Sequence, residues 1–197
     1  MNKFFESKKT LETEAGIKLI ISESPSEIII DKKSYIECTN CIFTGDLNDL
    51  FERDSIESTE SYFSNEHRYA AYYVVDGDMV LNETKYPASY RASFERDYPK
   101  IKDCLVEDLH SRRAVIHFTG EELPCFISIQ FLIRDNFLNV IANFRSWELE
   151  TWAIYDVYLI RELSRKIYSD LRIELDMNNL GLGNLTLVVA SAHVEIS

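Results

Sequence analysis

The sequence predicts an α+β fold, and three observations lead there. Short β-branched runs stand near the N-terminus at 17–23 and 26–31, and two alternating apolar segments flank the turn Arg134-Asp135-Asn136. A long stretch, 148–171, repeats apolar residues at helical spacing.

In chain order, "IKLIISE" and "SEIIID" read as two strands joined by the turn "SPS", and "SYIECTNCIFTG" as a third strand. Residues 45–65 are acidic and polar and read as a loop with one short helical piece. "NEHRYAAYYVVDGD" reads as a helix ending at Gly77. "YPKIKDCLVEDLH" places Pro99 at a first helical position, with Ile101, Cys104, Leu105, Val106 and Leu109 on the core side. "RRAVIHF" is a strand opened by two arginines, and "FISIQFLI" and "FLNVIANF" form a hairpin. The stretch 148–171 is a helix carrying Trp152, Tyr155, Leu159, Leu163 and Ile167, and "NLTLVVASAHVEIS" is a final long strand after the turn "GLG". That "GLGN" precedes a strand, whereas a phosphate loop needs a helix there.

At 197 residues the chain reads as one domain, 1–197, able to bury its core without disulfides or metal. A formal net charge of −12 argues against binding a nucleic-acid backbone, and no apolar run is long enough for a membrane span. The charged N-terminus lacks the apolar stretch of a secretory signal, so the expectation is a cytoplasmic protein with reduced thiols. In that compartment "NET" (82–84) and "NLT" (184–186) carry no glycan meaning. Cys38 and Cys41 form a lone CxxC without a second pair at zinc-ribbon spacing, and read as ordinary thiols.

One cysteine sits differently. Cys125 follows Pro124 directly, at the entrance of what reads as a buried strand. It is either a small core residue or a nucleophile held at a rigid position. Arg112, Arg113, Gln130, Arg145, Ser146, Asp156 and His193 each have an ordinary structural reading taken singly. Together with Cys125, their order and spacing resemble the thymidylate synthase and cytidylate hydroxymethylase family. "SRRAVIHF" resembles that family's arginine pair before a strand. Pro124, Cys125 and Gln130 are similar to its "PC" with a glutamine five positions on, and Arg145, Ser146 and Glu148 to its "RS" pair and following acid. "YPASYR" (86–91) and "SAHVEI" (191–196) resemble two further motifs, so the likeness runs from about Tyr86 to Ile196.

The resemblance implies a thymidylate synthase-like twisted mixed β-sheet with helices packed on one face and a second subunit on the other. It implies a pyrimidine nucleoside monophosphate as substrate. Cys125 would add to C6 of the base, making C5 nucleophilic toward a one-carbon unit carried by 5,10-methylenetetrahydrofolate. A free thiol is only about 3% thiolate at neutral pH, so a cation beside it matters. Arg145 is the expected one, and it would also hold the substrate phosphate with Ser146. Arg112 and Arg113 would reach that phosphate from the other subunit, which implies a homodimer with shared sites. Where a synthase reads uracil with asparagine, this chain has Asp156. An acid that accepts from N4 and shares a proton with N3 complements cytosine, so cytidylate is the expected base. His193 and Glu195 would face the sugar, Glu148 and Trp152 the folate, and Glu66 is the candidate for activating water or relaying protons.

The departures keep a second reading open. Trp152 stands where the family has a small glycine beside the folate ring, and the sequence ends soon after the histidine motif. A nucleotide-binding relative that is non-catalytic or folate-independent would fit both. No metal is called for.

Overall fold

The computed structural model describes residues 2–52, 65–77, 86–121 and 123–196. Two long strands, β3 (Lys33–Asp46) and β8 (Gly181–Ile196), run antiparallel over most of their length and form the spine of a mixed sheet. Along β3, Ile36, Cys38, Cys41 and Phe43 are buried while their neighbours are not. Asn40, at φ 52, interrupts the alternation, so Cys38 and Cys41 both face the core.

β1 (Lys18–Ile21) and β2 (Ser26–Ile30) lie end to end on the free side of β3. On the other side of the spine, β6 (Phe137–Phe144) and β7 (Trp147–Glu148) lie end to end along β8, both parallel to it. Residues 145 and 146 form the break between them. β5 (Phe126–Arg134) and β4 (Val115–His117) continue antiparallel to the edge, giving the order β1-β3-β8-β6-β5-β4. The β5–β6 turn holds Asp135 and Asn136 at φ 52 and 62, and the β2–β3 turn holds Asp31 and Lys32 at φ 50 and 69. Such two-residue left-handed turns match the twist of paired strands.

One face of this sheet is covered. α5 (Trp152–Glu174) crosses from β7 to β8 and buries every residue from Ala153 to Ser164, among them Asp156, Arg161 and Glu162. α3 (Asn65–Val75) and α4 (Ala88–Glu107) pack against α5 and one another; α1 (Asn2–Ala15) and α2 (Leu47–Glu52) also reach α5 and β8. The other face, with Ile141, Thr186 and Val188, stays accessible. No helix of the described residues is long and apolar enough to cross a membrane.

Several sequence expectations need correction. α4 begins at Ala88, so Pro99 lies inside it rather than at its start. Tyr90, Phe94, Ile101 and Leu105 form one continuous buried stripe, and that burial outweighs the backbone bond a proline removes. Val106 is exposed and Leu109 lies beyond the helix. "GLG" opens β8 instead of making a turn, since a Cβ at Gly181 would come within 2.7 Å of the Phe137 ring on the parallel neighbour. The strand in "RRAVIHF" is confined to Val115–His117, and residues 148–151 precede α5. α1 was not foreseen; only Phe4, Leu11 and Ala15 along it are buried, a thin signal in a charged segment. "NET" and most of the acidic loop lie outside the described residues.

Candidate functional site

The break between β6 and β7 opens a cavity of about 550 Å³. That size suits a small ligand. Cys125 stands at its mouth, fixed from three sides. The Arg145 backbone N–H donates to the Cys125 carbonyl at 3.0 Å, and a bulge between Phe126 and Ser128 displaces the strand immediately after it. The Phe126 N–H meets the Tyr90 hydroxyl at 3.4 Å. The cysteine is exposed at this edge, beside Leu123, 76% exposed, and its thiol lines the cavity.

Arg145 holds the loop before the cysteine. Its guanidinium donates to the carbonyls of Pro124 at 3.2 Å and Leu123 at 2.7 Å. Its charge pulls the Cys125 thiol down, as expected, but burial pushes it up by more, and Asp156 adds to the rise. The thiol therefore sits above its ordinary value, although Arg145 acts on it in the expected direction.

Asp156 lies on the buried face of α5 and is 6% exposed, so it is no surface aspartate. The Tyr86 hydroxyl donates to its Oδ1 at 3.0 Å and the Trp147 indole N–H to its Oδ2 at 3.2 Å. Both donors are neutral. Burial raises the acid to about 7, and the two hydrogen bonds offset only part of that rise. Tyr86 is in turn stacked on Tyr90 at 5.0 Å, and the Trp152 indole, 40% exposed, stands 6.5 Å from Tyr86 at the rim.

The far wall comes from β8 and β3. His193 and Glu195 line the cavity with Tyr35, whose ring meets His193 edge-on at 5.5 Å. Burial lowers the His193 imidazole. Glu148, in register with His193, spends its carboxylate on the turn into α5, accepting the backbone N–H groups of Glu150, Thr151 and Trp152. Thr151, at the N-cap position, makes no side-chain cap of its own, so Glu148 supplies it.

The structure thus brings Cys125, Ser146, Glu148, Trp152, Asp156, His193 and Glu195 to one cavity, with Arg145 behind its mouth. It does not bring the others there. Gln130 donates its amide to the Arg112 carbonyl at 2.8 Å on β5, and Arg112 and Arg113 are exposed before β4. Glu66, on α3, accepts from the Tyr155 hydroxyl and is absent from the cavity wall. Tyr35, Tyr86, Tyr90 and Trp147 are wall residues that the sequence expectations do not name as such. Trp147 was inside the quoted Ser146–Glu148 motif, and Tyr86 and Tyr90 inside "YPASYR". Tyr35 gave no signal, because only the β3–β8 register carries it to the site.

Among the described residues no group of three or more His, Cys, Asp or Glu could hold a metal ion. The chain matches no known protein-family model and no curated protein. What fold and cavity define is a mixed α+β protein whose sheet breaks open onto a thiol and a buried, neutral-capped acid.

Proposed function

We propose that this cavity takes a pyrimidine nucleoside monophosphate and that the chain is a thymidylate synthase-like C5 one-carbon transferase, a cytidylate hydroxymethylase. The observation that carries this is Asp156: a buried acid near pH 7, held by neutral donors, in the same cavity as Cys125. An acid that titrates there can stay protonated and donate a hydrogen bond to N3 of cytosine while accepting one from the N4 amino group.

In this reading the Cys125 thiolate would add to C6 and give C5 the electron pair needed to take up a one-carbon unit; loss of the C5 proton, addition of water to the transferred carbon and breaking of the Cys125–C6 bond would then return the free thiol and the hydroxymethyl base. Methylenetetrahydrofolate, when bound, supplies that carbon. The exposed Trp152 indole offers a flat ring face at the cavity rim on which a pterin can stack. Sharing a proton with the base also removes the Asp156 charge that raises the thiol, so base recognition favours the thiolate. Ser146 and Arg145 hold the phosphate, Arg145 by leaving its loop carbonyls. Arg112 and Arg113, far from their own cavity, serve a second copy packed on the accessible sheet face.

A second reading, a nucleotide-binding relative without transfer, is favoured by two features. Arg145 is committed to Leu123 and Pro124, and the thiol is raised rather than lowered. Tritium release separates the two. The protein is incubated with 5-tritiated CMP, dCMP or dUMP, with and without methylenetetrahydrofolate, beside Cys125→Ala. Folate-dependent release from a cytidylate, abolished in the variant, supports the transferase. Binding without release leaves the second reading.

A further inference from the structure

We propose that the Tyr35–His193–Glu195 wall recognises a vicinal diol, so that the cavity prefers a ribonucleotide to its 2′-deoxy counterpart; this rests on the nucleotide reading above. Tyr35 and Glu195 are direct cross-strand partners, and so are Glu37 and His193. Side chains in such register share one sheet face and lie within contact reach. All three wall residues line the same cavity.

Their donors and acceptors match two adjacent hydroxyls. Glu195 accepts from the Lys33 ammonium at 2.9 Å through Oε2 only, and Oε1 has no partner among the described residues. The Lys33 contact and the Lys3 ammonium on the Glu195 carbonyl at 2.9 Å fix the strand end and the side chain. A neutral imidazole beside the carboxylate offers one donor and one acceptor, and the Tyr35 hydroxyl offers both. A carboxylate oxygen left open can accept hydrogen bonds from neighbouring hydroxyls, as acids accept from the ribose 2′-OH in dinucleotide sites. A deoxyribose would set a methylene against that oxygen and displace water from it without replacement.

The sugar wall also adjoins the base reader. Trp147 and Glu148 are consecutive on β7; Trp147 donates to Asp156, and Glu148 is in register with His193. One nucleoside can span both.

Calorimetric titration of CMP, dCMP, UMP and dUMP into the full chain and into Glu195→Gln tests this. The Lys33–Glu195 ion pair is partly exposed on both sides, so the variant is expected to fold, with circular dichroism as the check. The expected result is a ribo over deoxy preference of about tenfold within each base pair, falling toward unity in E195Q. Equal or inverted affinities for CMP and dCMP overturn the proposal. A retained ribo preference with CMP and UMP bound alike overturns the cytosine reading of Asp156 and leaves the sugar inference standing. Failure of all four to bind overturns both.

Discussion

Asp156 and Glu162 are acids on the same helix, both buried, and the chain treats them in opposite ways. Glu162 is 1% exposed and is wrapped by cations: Arg161 bonds one oxygen, and Arg165 donates to the other at 2.9 and 2.7 Å. Arg161 also reaches the carbonyls of Leu50 and Phe51, tying α2 to α5. Asp156 receives only a phenol and an indole. A buried charge whose work is structural is given a counter-charge, because leaving it unpaired costs several kcal/mol. An acid left with neutral donors stays able to exchange its proton, which a structural acid has no need to do.

The largest expected effect follows from the closed network. Glu162→Ala removes this carboxylate from beside the buried Arg161, and urea unfolding should show a loss of about 3 kcal/mol; Arg165, half exposed, adds little. Asp156→Asn should move stability the other way above neutrality. The folded acid titrates near 7, above its ordinary range, so the folded state holds its proton more tightly than the unfolded chain does. Its contribution is greatest below about pH 4, falls as pH rises toward 7, and is level beyond. Asn cannot ionise, and its amide can still accept from Trp147 and donate to the Tyr86 oxygen. At pH 8 the variant should exceed wild type, the gap closing by pH 4. If E162A and D156N both destabilise at pH 8, the contrast between the two acids is lost.

The sequence disclosed the acid but not its setting. The register of Cys125, Arg145 and Asp156 could be counted along the chain; Cys125 and Asp156 line one cavity, and Arg145 holds the loop before the cysteine. Element types were also legible wherever the period was strong, in β5, β6 and α5. What escaped depends on partners distant in sequence. Tyr35 reaches the site only through pairing with Glu195, and the sum of forces on the Cys125 thiol depends on burial, which spacing does not report. Glu148 looked like a ligand because its type and position fit; only the three N–H groups converging on it reveal a helix cap.

The smallest effect contrasts thiols in the same terms. Cys38 and Cys41 face the core of β3, and burial raises both, Cys41 to about 12, with no cation to oppose it strongly. Cys125 is raised too, but Arg145 works against the rise and the residue is exposed. Brief iodoacetamide treatment at pH 8, read by peptide mass, should therefore modify Cys125 first. Cys104, half-buried with its sulfur 2.8 Å from the Ser111 hydroxyl, should follow more slowly, and the β3 pair should stay silent. Arg145→Met removes the opposing charge and also frees Leu123 and Pro124. The first change slows Cys125 alkylation by about two- to threefold, while a loosened loop would speed it. A pH–rate profile divides these, because a lost charge moves the titration midpoint upward whereas added access raises the plateau. An unchanged midpoint would mean that Arg145 acts on Cys125 only by holding its loop.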